Sequence, residues 1–121
     1  NVEGGISDPI AVAKEIIHYN YNKNLKITAI SKKVFLDPAY FSRLFKQETG
    51  LSPKDYVTKI QMTEAKKLLK TTRYSIKNIS LTVGFGDPLY FSRVFLKHEQ
   101  CSPTEYRNSL SYGSAKQSYP P

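Results

Sequence analysis

The stretch Asp37-Pro38-Ala39-Tyr40-Phe41-Ser42-Arg43-Leu44-Phe45 returns as Asp87-Pro88-Leu89-Tyr90-Phe91-Ser92-Arg93-Val94-Phe95, with seven of nine residues identical at an offset of 50. Asp followed by Pro supplies a side-chain cap and a residue whose fixed φ suits the first helical position, so each copy opens a helix. Phe41 and Phe45 lie four apart, as do Phe91 and Phe95, which places both rings of a copy on one inward face beside Leu44 or Val94. Ala39, Ser42, Arg43 and Lys46 fall on another face, as do Leu89, Ser92, Arg93 and Leu96.

The repeat extends beyond these helices. Downstream, Ser52-Pro53 matches Ser102-Pro103 and Tyr56 matches Tyr106 at the same offset. Upstream the register is 49: Ile27, Ile30, Ser31 and Val34 stand opposite Ile76, Ile79, Ser80 and Val83. One extra turn residue in the second copy accounts for the slip. Each copy is a short helix, a tight turn and a second helix, with a small serine that lets the two approach closely, which is the layout of a helix-turn-helix. Two copies are too few for a solenoid, so the repeat is a duplicated functional unit.

Around this core the apolar spacing is helical almost throughout, and the fold class is all-α. Helices are expected over about 9–21, 27–34, 38–48, 53–70, 75–83, 88–99 and 103–109. Ser52-Pro53-Lys54-Asp55 has the form of a capping box with Asp in place of Glu. The longest helix, roughly 27 Å at about 1.5 Å per residue, joins the first helix-turn-helix (about 27–48) to the second (about 75–99). Residues 1–9 read as a linker to an N-terminal domain missing from the chain, 10–109 as the folded domain, and 110–121, rich in Ser, Tyr, Gly and Pro, as a disordered tail.

The chain has 121 residues, with 18 Lys and Arg against 10 Asp and Glu, a formal charge of +8. This size suits one domain, and the charge favours a polyanionic partner. One cysteine and two histidines, Cys101, His18 and His98, offer neither a disulfide nor ligands at zinc spacing, so no metal or cofactor is expected. No apolar run is long enough to cross a bilayer, and a cytoplasmic location is the plain expectation. No nucleophile motif, phosphate loop or paired carboxylates appear, so no enzymatic activity is read here.

Arginine can pair two donors with guanine N7 and O6, which makes Arg43 and Arg93 the candidates for direct reading of base edges. Their recurrence at equivalent sites outweighs the reading of a lone solvated arginine. Leu89 is placed either to meet a thymine methyl or to pack against its neighbours; Tyr40 and Tyr90, near helix starts, either meet phosphate, as the main-chain N–H groups of Ala39 and Leu89 could, or pack over the core rim. Lys46 and Lys97 join the candidate phosphate contacts. Lys32, Lys33, Lys66, Lys67, Lys70 and Arg73 would add a salt-sensitive footprint.

With these residues in view, the chain from about 10 to 107 resembles the C-terminal DNA-binding domain of AraC/XylS-family bacterial transcription regulators. The resemblance is most specific in Gln61-Met62-Thr63-Glu64-Ala65-Lys66-Lys67-Leu68-Leu69, in Ile79-Ser80-Leu81-Thr82-Val83-Gly84-Phe85, in the second nonapeptide, and in Ser102-Pro103 with Tyr106-Arg107. It implies seven helices forming two helix-turn-helix subdomains joined by the long central helix. Two recognition helices would enter successive major-groove segments of promoter DNA. The family's base-contacting positions fall on Ala39, Ser42 and Arg43, and on Pro88, Leu89, Ser92 and Arg93. RNA polymerase is an implied partner, and so is an effector-binding or receiver domain outside this chain, with a sugar-sensing domain favoured over a receiver; activation is favoured over repression.

The sequence departs from the family where Phe35 stands in the first turn in place of the usual glycine, which Gly84 provides in the second. A bulky residue at positive φ is strained, so an altered turn or a shifted Phe35 is expected. Gln100 likewise replaces a common glycine. Three rival readings remain distinct: a nonspecific or architectural DNA binder, a helical protein-interaction module, and a DNA-repair protein whose metal-bound cysteines this chain lacks.

Overall fold

The computed structural model describes residues 8–118, with side chains described for 8–110. Among them the secondary structure is helical only: α1 (Pro9–Asn20), α2 (Ile27–Lys33), α3 (Pro38–Thr49), α4 (Pro53–Thr71), α5 (Ile76–Thr82), α6 (Pro88–Glu99) and α7 (Pro103–Ser118). The chain divides at the Gln61–Met62 junction into two compact units, and α4 runs through that junction.

In unit 1 the core consists of Ile10, Ala13, Ile17, Ile30, Val34, Phe41 and Phe45, with Leu36, Leu44, Tyr56, Val57 and Ile60 packed against it. Phe45 lies 5.6 Å from Phe41 and 5.2 Å from Tyr56 between ring centroids, the latter pair edge-on. Unit 2 buries Met62, Ala65, Leu69, Ile79, Val83, Phe85, Phe91 and Phe95. Its rings run from Phe85 to Phe91 (5.3 Å), Phe95 (5.9 Å) and Tyr106 (5.7 Å). Edge-on and tilted pairs at these distances add about 0.5–1.5 kcal/mol each beyond the area they bury. The repeated Phe-x-x-x-Phe spacing thus places the same aromatic spine in both units.

Ser31 and Ser80 are buried where each short helix meets its partner, and each hydroxyl donates to its own helix, to Thr28 O (2.9 Å) and Lys77 O (2.7 Å). Burial therefore leaves neither hydroxyl unsatisfied, and the helix pair gains close approach without a desolvation cost.

The turn of unit 1 corrects the expectation drawn from Phe35. Its backbone is not altered: Phe35 takes φ 62° where Gly84 takes φ 101°. Both turns carry the same pair of bonds. Phe35 N–H donates to Lys32 O (3.1 Å) and Leu36 N–H to Ser31 O (3.0 Å); Gly84 N–H donates to Leu81 O (3.1 Å) and Phe85 N–H to Ser80 O (2.8 Å). This is the Schellman arrangement, closed by an apolar residue, Leu36 or Phe85, packed back on the core. The hydrogen bonds and the buried apolar residue hold the left-handed turn even against a Cβ. Phe35 meets the constraint by turning its ring outward, 82% exposed.

A second exchange of the same kind occurs at the ends of α3 and α6. Gly50 caps α3 at φ 86° and Gln100 caps α6 at φ 66°, with N–H groups donating to Lys46 O (2.8 Å) and Leu96 O (2.9 Å). At these two matched places each unit carries one glycine, at the helix end in unit 1 and at the turn in unit 2; Asn24 (φ 51°), ahead of α2, is a further left-handed position in unit 1.

The helix starts follow the capping grammar with one graded difference. Ser102 and Glu105 form a complete box: Ser102 N–H donates to Glu105 Oε1 (2.8 Å) and Glu105 N–H to Ser102 Oγ (3.0 Å). At α4 the bond from Asp55 N–H to Ser52 Oγ (3.1 Å) is present, and Asp55 is one methylene shorter than the glutamate of a full box. Helix α7 continues to Ser118, beyond the expected end near Ser109, so residues 110–118 of the expected tail are helical. Residues 119–121, and residues 1–7 of the expected linker, lie outside the described residues.

Candidate nucleic-acid interface

Helix α3 presents Ala39, Arg43 and Lys46 as exposed side chains, with Ser42 half-buried at the edge of that face. Helix α6 presents Leu89, Arg93, Leu96 and Lys97, with Pro88 and Ser92 half-buried. At about 100° per residue, positions 89, 93 and 96 fall within an arc of about 60°, and so do 39, 43 and 46. The structure therefore gathers the predicted residues of each copy into one outward strip, opposite the buried phenylalanines. Among the described residues no carboxylate forms an ion pair with Arg43, Arg93, Lys46 or Lys97. The two ion pairs given for unit 2, Lys66–Glu99 (3.2 Å) and Lys67–Glu64 (3.3 Å), draw two of the lysines of the expected footprint toward carboxylates.

The tyrosines differ between copies. The Arg43 guanidinium lies 6.0 Å from the centre of the Tyr40 ring, close enough for a weak cation–π attraction that limits where Arg43 swings. Tyr90 instead packs on Phe85, 5.7 Å between centroids. Leu36 occupies the place of Phe85 in unit 1, so Tyr40 has no such ring beneath it. Both tyrosines are about half exposed, at 47% and 49%, which leaves their rings at the rim of the strip.

One expected role is not available. The N–H groups of Ala39 and Leu89 are not free for phosphate: Ala39 N–H donates to Asp37 Oδ2 (3.0 Å) and Leu89 N–H to Asp87 Oδ1 (3.0 Å). Asp37 also accepts from Tyr40 N–H (3.2 Å). A capping carboxylate satisfies the donors and puts negative charge where a phosphate would sit, so phosphate contact at these helix starts falls to side chains.

Sequence reasoning placed two residues without giving either a role. Leu96, 51% exposed, stands on the outer strip where unit 1 has Lys46; its place on the face was legible, but an exposed leucine carries no motif. Arg107 donates to three main-chain carbonyls, Leu69 O (3.2 Å), Tyr74 O (2.7 Å) and Thr72 O (3.2 Å), and so ties α7 to the end of α4 and the loop that follows. Only the position of Arg107 within the family motif hinted at a role.

Two buried-core helix pairs, each with a capped second helix whose outer strip carries an exposed arginine, define a double helix-turn-helix domain. A family model described as "Helix-turn-helix domain" matches residues 30–109. The chain is 39% identical over 80 residues to the lactose operon transcription activator of Staphylococcus xylosus, covering 66% of this chain and 29% of that protein. It is 38% identical over 72 residues to the Msm operon regulatory protein of Streptococcus mutans, covering 60% of this chain and 26% of that one. The C-terminal domain of AraT, a response regulator from Geobacillus stearothermophilus, superposes with a TM-score of 0.82 at 33% identity, covering 85% of this chain and 86% of that one. The chain belongs to the AraC-type helix-turn-helix family and is a DNA-binding domain of the kind found in transcription regulators. It spans between a quarter and a third of the length of the two operon regulators it matches.

Proposed function

We propose that the chain binds double-stranded promoter DNA sequence-specifically, with α3 and α6 as recognition helices entering successive major-groove segments. The observation that carries this reading is the recurrence of an exposed arginine, Arg43 and Arg93, with no carboxylate partner among the described residues, at the same place on two capped helices. Each arginine takes a guanine edge; Ser42 and Ser92 lie beside it, with Ala39, Pro88 and Leu89 at the leading end of the helix. Tyr40, Lys46, Tyr90 and Lys97 hold phosphates and set the register. The domain carries out no catalytic step and works in the bacterial cytoplasm. No described helix is long and apolar enough to cross a membrane.

In the whole regulator the domain works with a sensing domain and with RNA polymerase. The likeness to the lactose operon transcription activator supports activation and a small effector, of which a sugar is the first candidate. The AraT relative supports the receiver alternative.

Selecting duplexes from a random library and then competing the winner against a scrambled duplex tests the specific reading. A gap of about 10³ or more at physiological salt is expected. Equal competition by the scrambled duplex would establish the alternative, a nonspecific or architectural binder held by charge.

A further inference from the structure

The two recognition strips match in position but not in chemistry. Unit 1 offers Ala39, Arg43 and Lys46; unit 2 offers Leu89, Arg93 and Leu96 at the equivalent places. Leu89 is 70% exposed and Leu96 51% exposed, on a helix whose two phenylalanines, Phe91 and Phe95, are fully buried. Two exposed leucines bracketing an unpaired arginine have a natural counterpart in the major groove. There guanine offers two acceptors, and thymine is the base that presents a methyl group. Seven residues at about 1.5 Å each span about 10.5 Å, the length of about three base-pair steps of 3.4 Å.

The first helices of the two helix-turn-helix pairs, α2 and α5, also differ. Lys26, Lys32 and Lys33 of unit 1 stand where unit 2 has Ser75, Leu81 and Thr82, while Thr28 stands where unit 2 has Lys77. The outer side chains of α2 and α3 thus include Lys32, Lys33, Arg43 and Lys46, and those of α5 and α6 include Leu81, Leu89 and Leu96 beside Lys77, Arg93 and Lys97.

We propose that Leu89 and Leu96 are specificity-determining residues that take thymine methyl groups on either side of the guanine read by Arg93. The half-site of unit 2 is then thymine-flanked, and the half-site of unit 1 lacks this pair of apolar contacts, with Ala39 and Lys46 in the places of Leu89 and Leu96. This inference rests on the reading of α6 as a recognition helix. Lys46 is the informative contrast: at the place of Leu96, unit 1 puts an ammonium suited to phosphate or guanine and blind to a methyl group.

The test uses the 121-residue chain and the duplex selected from a random library. Each thymine is replaced in turn by deoxyuridine, which removes only the C5 methyl. Removing a buried methyl is expected to weaken binding about fourfold at each of two positions flanking the guanine of the unit 2 half-site. Substitution throughout the unit 1 half-site should change affinity less than about twofold. Leu89→Ala and Leu96→Ala, both at exposed positions, should each abolish the response at one of the two positions while the guanine preference of Arg93 persists. Leu96→Lys should abolish its response and steepen the dependence of log affinity on log salt by about one.

A selected site that binds specifically yet ignores deoxyuridine in the unit 2 half-site would overturn this proposal and leave the recognition-helix reading intact. Deoxyuridine responses that survive both leucine substitutions would also overturn it. Failure of selection to yield any preferred sequence would overturn both.

Discussion

Replacing Phe35 by glycine is expected to stabilise unit 1. The residue holds φ 62° at the helix-turn-helix turn, with its ring 82% exposed. A left-handed residue that carries a Cβ costs roughly 1–2 kcal/mol. Glycine returns part of this, because it loses about 0.5–1 kcal/mol more backbone entropy on folding. Little apolar burial is forfeited, and the bonds from residue 35 N–H to Lys32 O and from Leu36 N–H to Ser31 O are main-chain bonds that the substitution preserves. The net gain is about 0.5–1 kcal/mol. For a urea m value of about 1–2 kcal/mol per molar, the unfolding midpoint followed by circular dichroism should rise by about 0.3–1 M at constant m. Gln100→Gly is the internal comparison, since the Gln100 side chain donates from Nε2 to Lys97 O (3.1 Å) and that bond is lost with it. Its gain should be smaller than that of Phe35→Gly. A fall in the midpoint for Phe35→Gly would refute the reasoning, because it would mean that the ring contributes packing the turn depends on.

Further outcomes follow from the same geometry. Arg43→Ala and Arg93→Ala should each cost about 1–3 kcal/mol at the selected site and relax preference at one base position, measured by fluorescence anisotropy across single-base variants; equal weakening on all sequences would show phosphate contacts instead. Asp37→Ala removes a cap that serves two N–H groups and Asp87→Ala a cap that serves one, so the first should destabilise more within a range of about 0.5–2 kcal/mol, read from urea midpoints. Arg107→Lys keeps the charge but cannot reproduce the planar fork, and a loss of about 1.5–3 kcal/mol is expected; stability equal to the parent would show that the carbonyl bonds are incidental.

The repeat, the helix order and the inward phenylalanines were legible because spacing and capping chemistry are local. Asp-Pro starts, the Ser-Pro boxes and the 3.6-residue period each depend on neighbours within a turn of helix. The outer strips were legible for the same reason: once Phe41 and Phe45 face inward, Arg43 cannot. What could not be read was how competing local rules resolve. The steric rule against Phe35 at positive φ was sound, but it met two hydrogen bonds and the packing of Leu36 that together hold the turn. The N–H groups of Ala39 and Leu89 were sound phosphate donors until the carboxylates of Asp37 and Asp87 reached them first. Beyond Ser109 the composition gave no periodicity, and the continuation of α7 to Ser118 had no local signal to announce it.

Arg107 has a bearing on the protein's surface field as well as on its packing. The end of a helix carries roughly half an elementary charge of negative sign on its unsatisfied carbonyls. At α4 that charge sits beside Lys70 and Arg73, both exposed, and would soften the attraction they exert on a polyanion. The Arg107 guanidinium, seated on Leu69 O, Thr72 O and Tyr74 O, acts as a counterion that the fold itself holds in place. One of the chain's 18 basic side chains is thereby turned toward its own backbone, and its two neighbours keep their full field for the solvent side.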